Sequence, residues 1–278
     1  MNSDLKILLI ARIASQLTSS RHVAVGASSP IPAAAALLAQ AHNPGLRVSL
    51  LGSESHSDFT DGGRELFDCA AQGRIDHFFF SGLQIDGDAN INLVGSGNYP
   101  RMTQRISGSF GSAYLYHHVP SVILFCWAHS LRTLVNRVDF VSAAGPRHDG
   151  VWRRGGPVAL LTDRCEFAYR PSPNEHPAAL NLEAFKSAHD DNAANHPDSN
   201  AALVKAGGQF KLSSLHPGES LEGIKENTGF DYVLGDSGAV PETNTDALHD
   251  GTATLLTQKV LPGLANAYPR FVERFMND

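Results

Sequence analysis

Hydrophobic and polar positions recur along this chain with two periods. Leu5, Leu8, Leu9, Ile13 and Leu17 share one face at helical spacing, which predicts a helix over Asp4–Leu17, with Ser3 or Asp4 as its cap. His22–Val25 reads as a short strand ended by Gly26. Pro30–Ala41 is rich in Ala and Leu and opens on a proline, so it predicts a second helix. Arg47–Leu51 is a strand, Gly63–Gln72 a helix, and His77–Ser81, a run of phenylalanines, a buried strand. Val122–Phe125 and Val138–Val141 are read as two more strands, with a helix around Leu131–Asn136 between them. Strands alternating with helices predict a mostly parallel sheet covered by helices.

The second half changes character. Val158–Leu161 and Cys165–Tyr169 read as a strand pair turning at Thr162 and Asp163. Pro171–Asn200 is crowded with Pro, Asn, Asp and His, with one short helix expected near Leu182–Ala188. It reads as a surface excursion of a single domain over residues 1–278. Phe210–Leu215 is another strand, and Thr245–Val260 a closing helix.

Composition narrows the function classes. Of 278 residues, 42% are hydrophobic and 18% charged, which is globular and not disordered. The net charge of −6 argues against nucleic acid as the main partner. Three cysteines without a paired spacing fit a reducing, cytoplasmic setting. The apolar run Ile7–Ala11 is cut by Arg12 and is too short for a leader or a membrane span, so a soluble protein is expected.

Four segments carry candidate chemistry. After the first strand, Gly26, Ser28 and Ser29 precede a helix start, where free backbone N–H groups favour anions. An ordinary strand-to-helix turn accounts for the same residues. The segment from Ser81 holds Gly82, Gln84, Asp86, Asp88, Asn90 and Asn92, with the polar groups on alternating positions. Local turn hydrogen bonds are the plain alternative. Gly108, Ser109, Phe110, Gly111 and Ser112 form a glycine-bearing loop, expected before a strand, whose amides could meet an oxyanion. Glu54, at the end of the second strand, is a nucleophile or base candidate at the edge where open α/β sheets bind ligands, or simply a solvated carboxylate. The chain has 13 histidines but none at zinc spacing, so no metal is expected. His117 and His118, if on a strand, point to opposite faces.

Together these segments resemble the β subunit of class I coenzyme A transferases. The stretch SGLQIDGDANIN looks like that family's G-G-x-Q-x-D-x-x-G-N-x-N motif, and GSFGSA like its G-S-G-G-A-N loop. The run from Leu131, the strand pair from Gly155, and SLHPGESLEGIKENTGFDY from Ser214 follow in the family's order. The resemblance spans about Val25 to Tyr232 and implies the open α/β CoA-transferase fold. It implies acyl-CoA and carboxylic acid substrates, CoA as substrate with no tightly bound cofactor, and an α subunit of similar fold in a heterodimer or heterotetramer. Glu54 would be the nucleophile. Gly108, Ser109, Phe110, Gly111 and Ser112 would form the oxyanion and acyl pocket. Gly26, Ser28, Ser29, Gly82, Gln84, Asn90 and Asn92 would bind or position the substrate.

The chain also departs from the family's pattern. The family nucleophile lies in E-S-G or E-N-G, whereas this chain reads G-S-E-S, and without an insertion Leu51 or Gly52 would take the nucleophile's place. Phe110 and Ser112 replace small residues, and Ala89 replaces a turn glycine. The chain is also similar to the β subunit of steroid ring-cleaving hydrolases of the same fold, which act on cyclic CoA thioesters with a carboxylate of the partner. A noncatalytic acyl-CoA-binding subunit is the third reading.

Overall fold

A computed structural model describes residues 3–146, 152–171, 208–235, 238–249 and 251–277. Helix α1 (Ser3–Gln16) leads into β1 (His22–Val25), α2 (Pro30–His42), β2 (Arg47–Leu50), α3 (Gly62–Ala71) and β3 (His77–Phe80). Two small hairpins follow, β4 (Gln84–Ile85) with β5 (Ile91–Asn92), and β6 (Gly95–Ser96) with β7 (Gln104–Arg105). Next come α4 (Ser112–His118), β8 (Ser121–Cys126), β9 (Gly156–Thr162), β10 (Cys165–Pro171), β11 (Gly208–Leu215) and α5 (Leu221–Asn227).

The main sheet has seven strands in the order β11-β10-β9-β8-β3-β1-β2. From β2 to β9 all neighbours are parallel, while β10 and β11 run antiparallel at one side. This is the mixed α/β architecture that the alternation implied. Both faces of the sheet are covered, so its strands read as continuous apolar runs. In β8, Ile123 and Phe125 face α1, α2 and the C-terminal helices. Its Val122, Leu124 and Cys126 face α3, α4 and the β4–β5 hairpin. The stretch Ala33–Ala36 is fully buried, and its small side chains let α2 lie close to its neighbours.

The C-terminal region departs from a single helix over Thr245–Val260. A 3-10 turn (Asp246–Leu248) comes first, and the chain then passes through Gly251 at φ 87. Helix α6 (Thr252–Leu255), a π-turn (Leu256–Val260) and α7 (Leu261–Leu264) are continuous, and α8 (Pro269–Asn277) follows. Pro262 lacks the N–H that an α-turn would use, and the wider turn falls just before it.

Three other expectations are corrected. Leu131–Asn136 is not a helix: one turn closes on Ser130, then Val135 N–H donates to the Ile85 carbonyl at 2.9 Å. Val138–Val141 is not a strand, because its amides are taken by side chains. Val138 N–H donates to Asp86 Oδ2 at 3.3 Å and Asp139 N–H to Gln84 Oε1 at 2.9 Å. His117 and His118 end helix α4 and not a strand, and their rings touch at 5.2 Å. The polar stretch and short helix expected within 171–200 lie outside the described residues from 172 onward. No helix among the described residues is long and apolar enough to cross a membrane.

Candidate active site

All the parallel strands end on one edge of the sheet. Numbered among themselves, they stand in the order 2-1-3-4-5, so the winding direction reverses between β1 and β3. A crevice at the carboxyl ends of such strands is where open α/β sheets hold ligands. Four of the sequence-level candidates leave this edge: Gly26, Ser28 and Ser29 after β1, and Gly82 after β3.

Ser28 is exposed and sits at φ 63, in the left-handed region that non-glycine residues seldom occupy. The expected N–H cluster at the start of α2 is thinner than the turn suggested. Pro30 and Pro32 have no amide hydrogen, and Ala33 N–H is taken by the Ser29 carbonyl at 3.0 Å. That leaves Ile31 as the helix's free first-turn donor, so this end is a poor anion site. Gly82 is required by packing, since a Cβ there would stand 2.7 Å from the Gln84 carbonyl.

Glu54 lies beyond β2, which ends at Leu50. The loop folds back along the free edge of β2, where Leu50 N–H donates to the His56 carbonyl at 2.7 Å and Arg47 pairs with Asp58 at 2.8 Å. Glu54 is at the head of that reversal. Its side chain is exposed and has no hydrogen bond or ion pair among the described residues. Its neighbour Ser53 is buried instead.

The Gly108–Ser112 loop precedes a helix and not a strand. Gly111 takes φ 65, and a Cβ on it would meet the Phe67 ring of α3 at 2.3 Å. Among the described residues, the amides of Gly108, Ser109, Phe110 and Gly111 have no acceptor. Ser112 differs. Its amide donates to the Ser109 carbonyl at 3.2 Å, its hydroxyl to the same atom at 3.1 Å, and the residue is buried. Ser112 thus shapes the loop and has no free donor. No hydrogen bond or ion pair among the described residues joins this loop to Glu54.

Phe110 is 80% exposed. It begins a row of rings that sequence reasoning missed: Phe67 at 5.5 Å, Tyr114 at 5.5 Å from Phe67, and His118 at 4.3 Å from Tyr114. The i, i+4 spacing of Tyr114 and His118 signals the row only if 112–118 is taken as helix.

Gln84, Asp86, Asn90 and Asn92 do converge, but they are buried and bond the protein itself. Asn92 donates to Gln84 Oε1 and to the Gly95 carbonyl, both at 2.7 Å, and accepts from Val94 and Gly95 N–H. Asn90 accepts from Gly145 N–H at 3.0 Å and donates to Asp86 Oδ2 at 3.1 Å. Burial pushes the Asp86 carboxyl above its usual range, partly offset by these donors. The set locks the loops that surround the crevice. Ala89 takes φ 59, the conformation a glycine would occupy without strain.

The HPG and ENTGF segments also have a structural use. His129 bonds Thr162 Oγ1 at 3.0 Å and Thr228 Oγ1 at 2.8 Å, and His216 bonds Thr243 Oγ1 at 2.9 Å and the Thr162 carbonyl at 3.0 Å. Both are buried, and burial drives His129 down to about 4. Among the described residues no group of three His, Cys, Asp or Glu is placed to hold a metal.

No protein-family model matches the chain. It is 27% identical over 164 residues to the β subunit of 3-oxoadipate CoA-transferase from Pseudomonas knackmussii. The match covers 57% of this chain and 50% of the relative, so the chain spans about half the length of that relative. Among solved structures, glutaconate coenzyme A-transferase from Acidaminococcus fermentans superposes with a TM-score of 0.67 at 19% identity, covering 95% and 96% of the two chains. The decarboxylase AibA/AibB gives 0.63 at 22% identity over 86% and 88%. Rhodococcus jostii RHA1 IpdAB gives 0.62 at 18% identity over 88% and 92%. The chain has the coenzyme A transferase fold, and in sequence it is similar to the β subunit of such a transferase.

Proposed function

We propose that this chain is the β-type subunit of an enzyme that moves CoA from an acyl-CoA thioester to a carboxylic acid, together with an α-type subunit of similar fold. Glu54 attacks the thioester carbonyl. The free amides of the Gly108–Gly111 loop receive the tetrahedral oxyanion. The C–S bond breaks, CoA leaves as thiolate, and an acyl-glutamyl anhydride remains. The thiolate then attacks the glutamyl carbonyl, which releases the first carboxylate and leaves a glutamyl-CoA thioester. The second carboxylate runs the same steps in reverse and departs as its CoA thioester. CoA is a substrate in this scheme, and no tightly held cofactor or metal takes part.

The supporting observation is the state of Glu54. It is exposed at the carboxyl edge and has no cation or donor partner among the described residues, so its charge is available for attack. A carboxylate is a weak nucleophile toward thioesters, and positioning must make up the deficit. In the assembled enzyme, Glu54→Ala is expected to lower CoA exchange between acids by on the order of 10⁴-fold or more, as for other covalent nucleophiles. Retained exchange removes Glu54 from the mechanism.

One observation favours a second reading, hydrolysis of a cyclic acyl-CoA with the carboxylate supplied by the partner. Phe110 puts an exposed ring on the loop where a transferase has a small residue, and that suits a bulky apolar acyl group. This reading predicts CoA-dependent ring opening that survives Glu54→Ala and shows no exchange of CoA between acids.

A further inference from the structure

We propose that the β6–β7 hairpin holds the nucleotide end of coenzyme A, with Tyr99 as the stacking platform for adenine and Arg101 and Arg105 as partners of the phosphates. The proposal rests on the acyl-CoA reading above. Tyr99 is 59% exposed although it is already fixed by its neighbours. Its ring packs on Phe140 at 5.1 Å between centroids, and the Arg105 guanidinium lies 6.0 Å from the Tyr99 ring centroid. A ring so held has little freedom left to lose when a base stacks on it.

The two arginines set this surface apart on a chain with a net charge of −6. Arg12, Arg21, Arg47, Arg64 and Arg164 are all in ion pairs. Arg101 and Arg105 are exposed and have no hydrogen bond or ion pair among the described residues. The nearby acid, Asp139, accepts from Gly97 N–H at 2.8 Å. CoA carries a diphosphate and a 3′-phosphate, and guanidinium groups match phosphate oxygens in charge and geometry.

The hairpin is rigid and lies close to the acyl site. The buried Asn92 side chain bonds Gly95 N–H and its carbonyl, and Ile106 N–H donates to the Val94 carbonyl at 2.8 Å. Three residues separate Arg105 from Gly108, a reach of at most about 11 Å. The pantetheine arm between thioester and diphosphate is longer than that, so one CoA thioester can engage both places.

Calorimetric titration of the full chain with coenzyme A, adenosine 3′,5′-bisphosphate and pantetheine tests the assignment. Tyr99→Ala should weaken coenzyme A and the bisphosphate about tenfold, in the range of one lost base–aromatic stack, and leave pantetheine unchanged. Tyr99→Phe should retain affinity. The double variant Arg101→Ala, Arg105→Ala should weaken coenzyme A and flatten the salt dependence of its binding. All three wild-type side chains at issue are exposed, so thermal midpoints should stay put. Wild-type affinity in every variant overturns the subsite and leaves the transferase reading standing. Equal loss for pantetheine, or loss of subunit assembly with coenzyme A binding intact, also overturns it. A wild-type chain that binds neither coenzyme A nor pantetheine overturns both.

Discussion

Acid should loosen this fold through His129 in particular. The ring is 5% exposed and bridges two threonine hydroxyls, from the end of β9 and from the segment after α5. Burial holds it neutral, with its pKa lowered from 6.5 to about 4, while the unfolded chain takes up the proton near 6.5. Between those values the unfolded state binds more protons, so stability is present above 6.5 and is lost as pH falls toward 4. The full difference is about 3 kcal/mol, and roughly 2 kcal/mol of it is gone by about pH 5. His22, His77 and His216 are shifted the same way by burial and add to the wild-type slope. The comparison that isolates His129 is therefore His129→Gln, which keeps a donor for Thr228. Urea unfolding of both proteins at about pH 7 and pH 5, followed by circular dichroism, should show the variant losing about 2 kcal/mol less than wild type on acidification. Equal losses in the two proteins refute the reasoning, as does a titration of the His129 ring near 6.5 in the folded protein by NMR.

The loop-locking network and the loop itself give two further expectations. Asn92→Ala leaves the Val94 and Gly95 amides and Gln84 Oε1 without their partner in a buried place, and should cost about 2–4 kcal/mol in urea unfolding. Gly111→Ala puts a Cβ at φ 65 against the Phe67 ring; it should cost about 1–2 kcal/mol and, by displacing the loop amides, lower CoA exchange more than it lowers stability. An unchanged melting curve for Asn92→Ala, or unchanged exchange for Gly111→Ala, contradicts the roles given to them.

Much of the sheet was legible because it obeys local rules. Strands buried on both faces are short apolar runs, and β1 carries the bounds its pattern predicted, His22–Val25. The region 131–141 was not legible. Its backbone partners are Ile85 and the side chains of Gln84 and Asp86, about fifty residues away in sequence, and no window of neighbours contains them. The apolar spacing there was misleading too, since Val138 is buried but Val141 is 42% exposed. The candidate site shows the same division. The polar residues from Gln84 to Asn92 were visible as a group, but their burial was not, and burial turns them from ligand-facing groups into supports. Glu54 was visible as a carboxylate at a strand end. Its freedom from partners depends on how the loop folds back along β2, which sequence spacing does not encode. Phe110 was visible as an odd residue in a small-residue loop, while Phe67, the ring it packs against, comes from a helix more than forty residues earlier.

The central claim is that Glu54 becomes covalently attached to the substrate during turnover. Mass spectrometry of the Glu54 peptide, after the chain assembled with an α-type subunit has been incubated with acyl-CoA and quenched in acid, reads this directly. The expected result is a CoA adduct in thioester linkage on Glu54, removed by hydroxylamine and missing in Glu54→Gln. An enzyme that turns over acyl-CoA while Glu54 stays unmodified contradicts it.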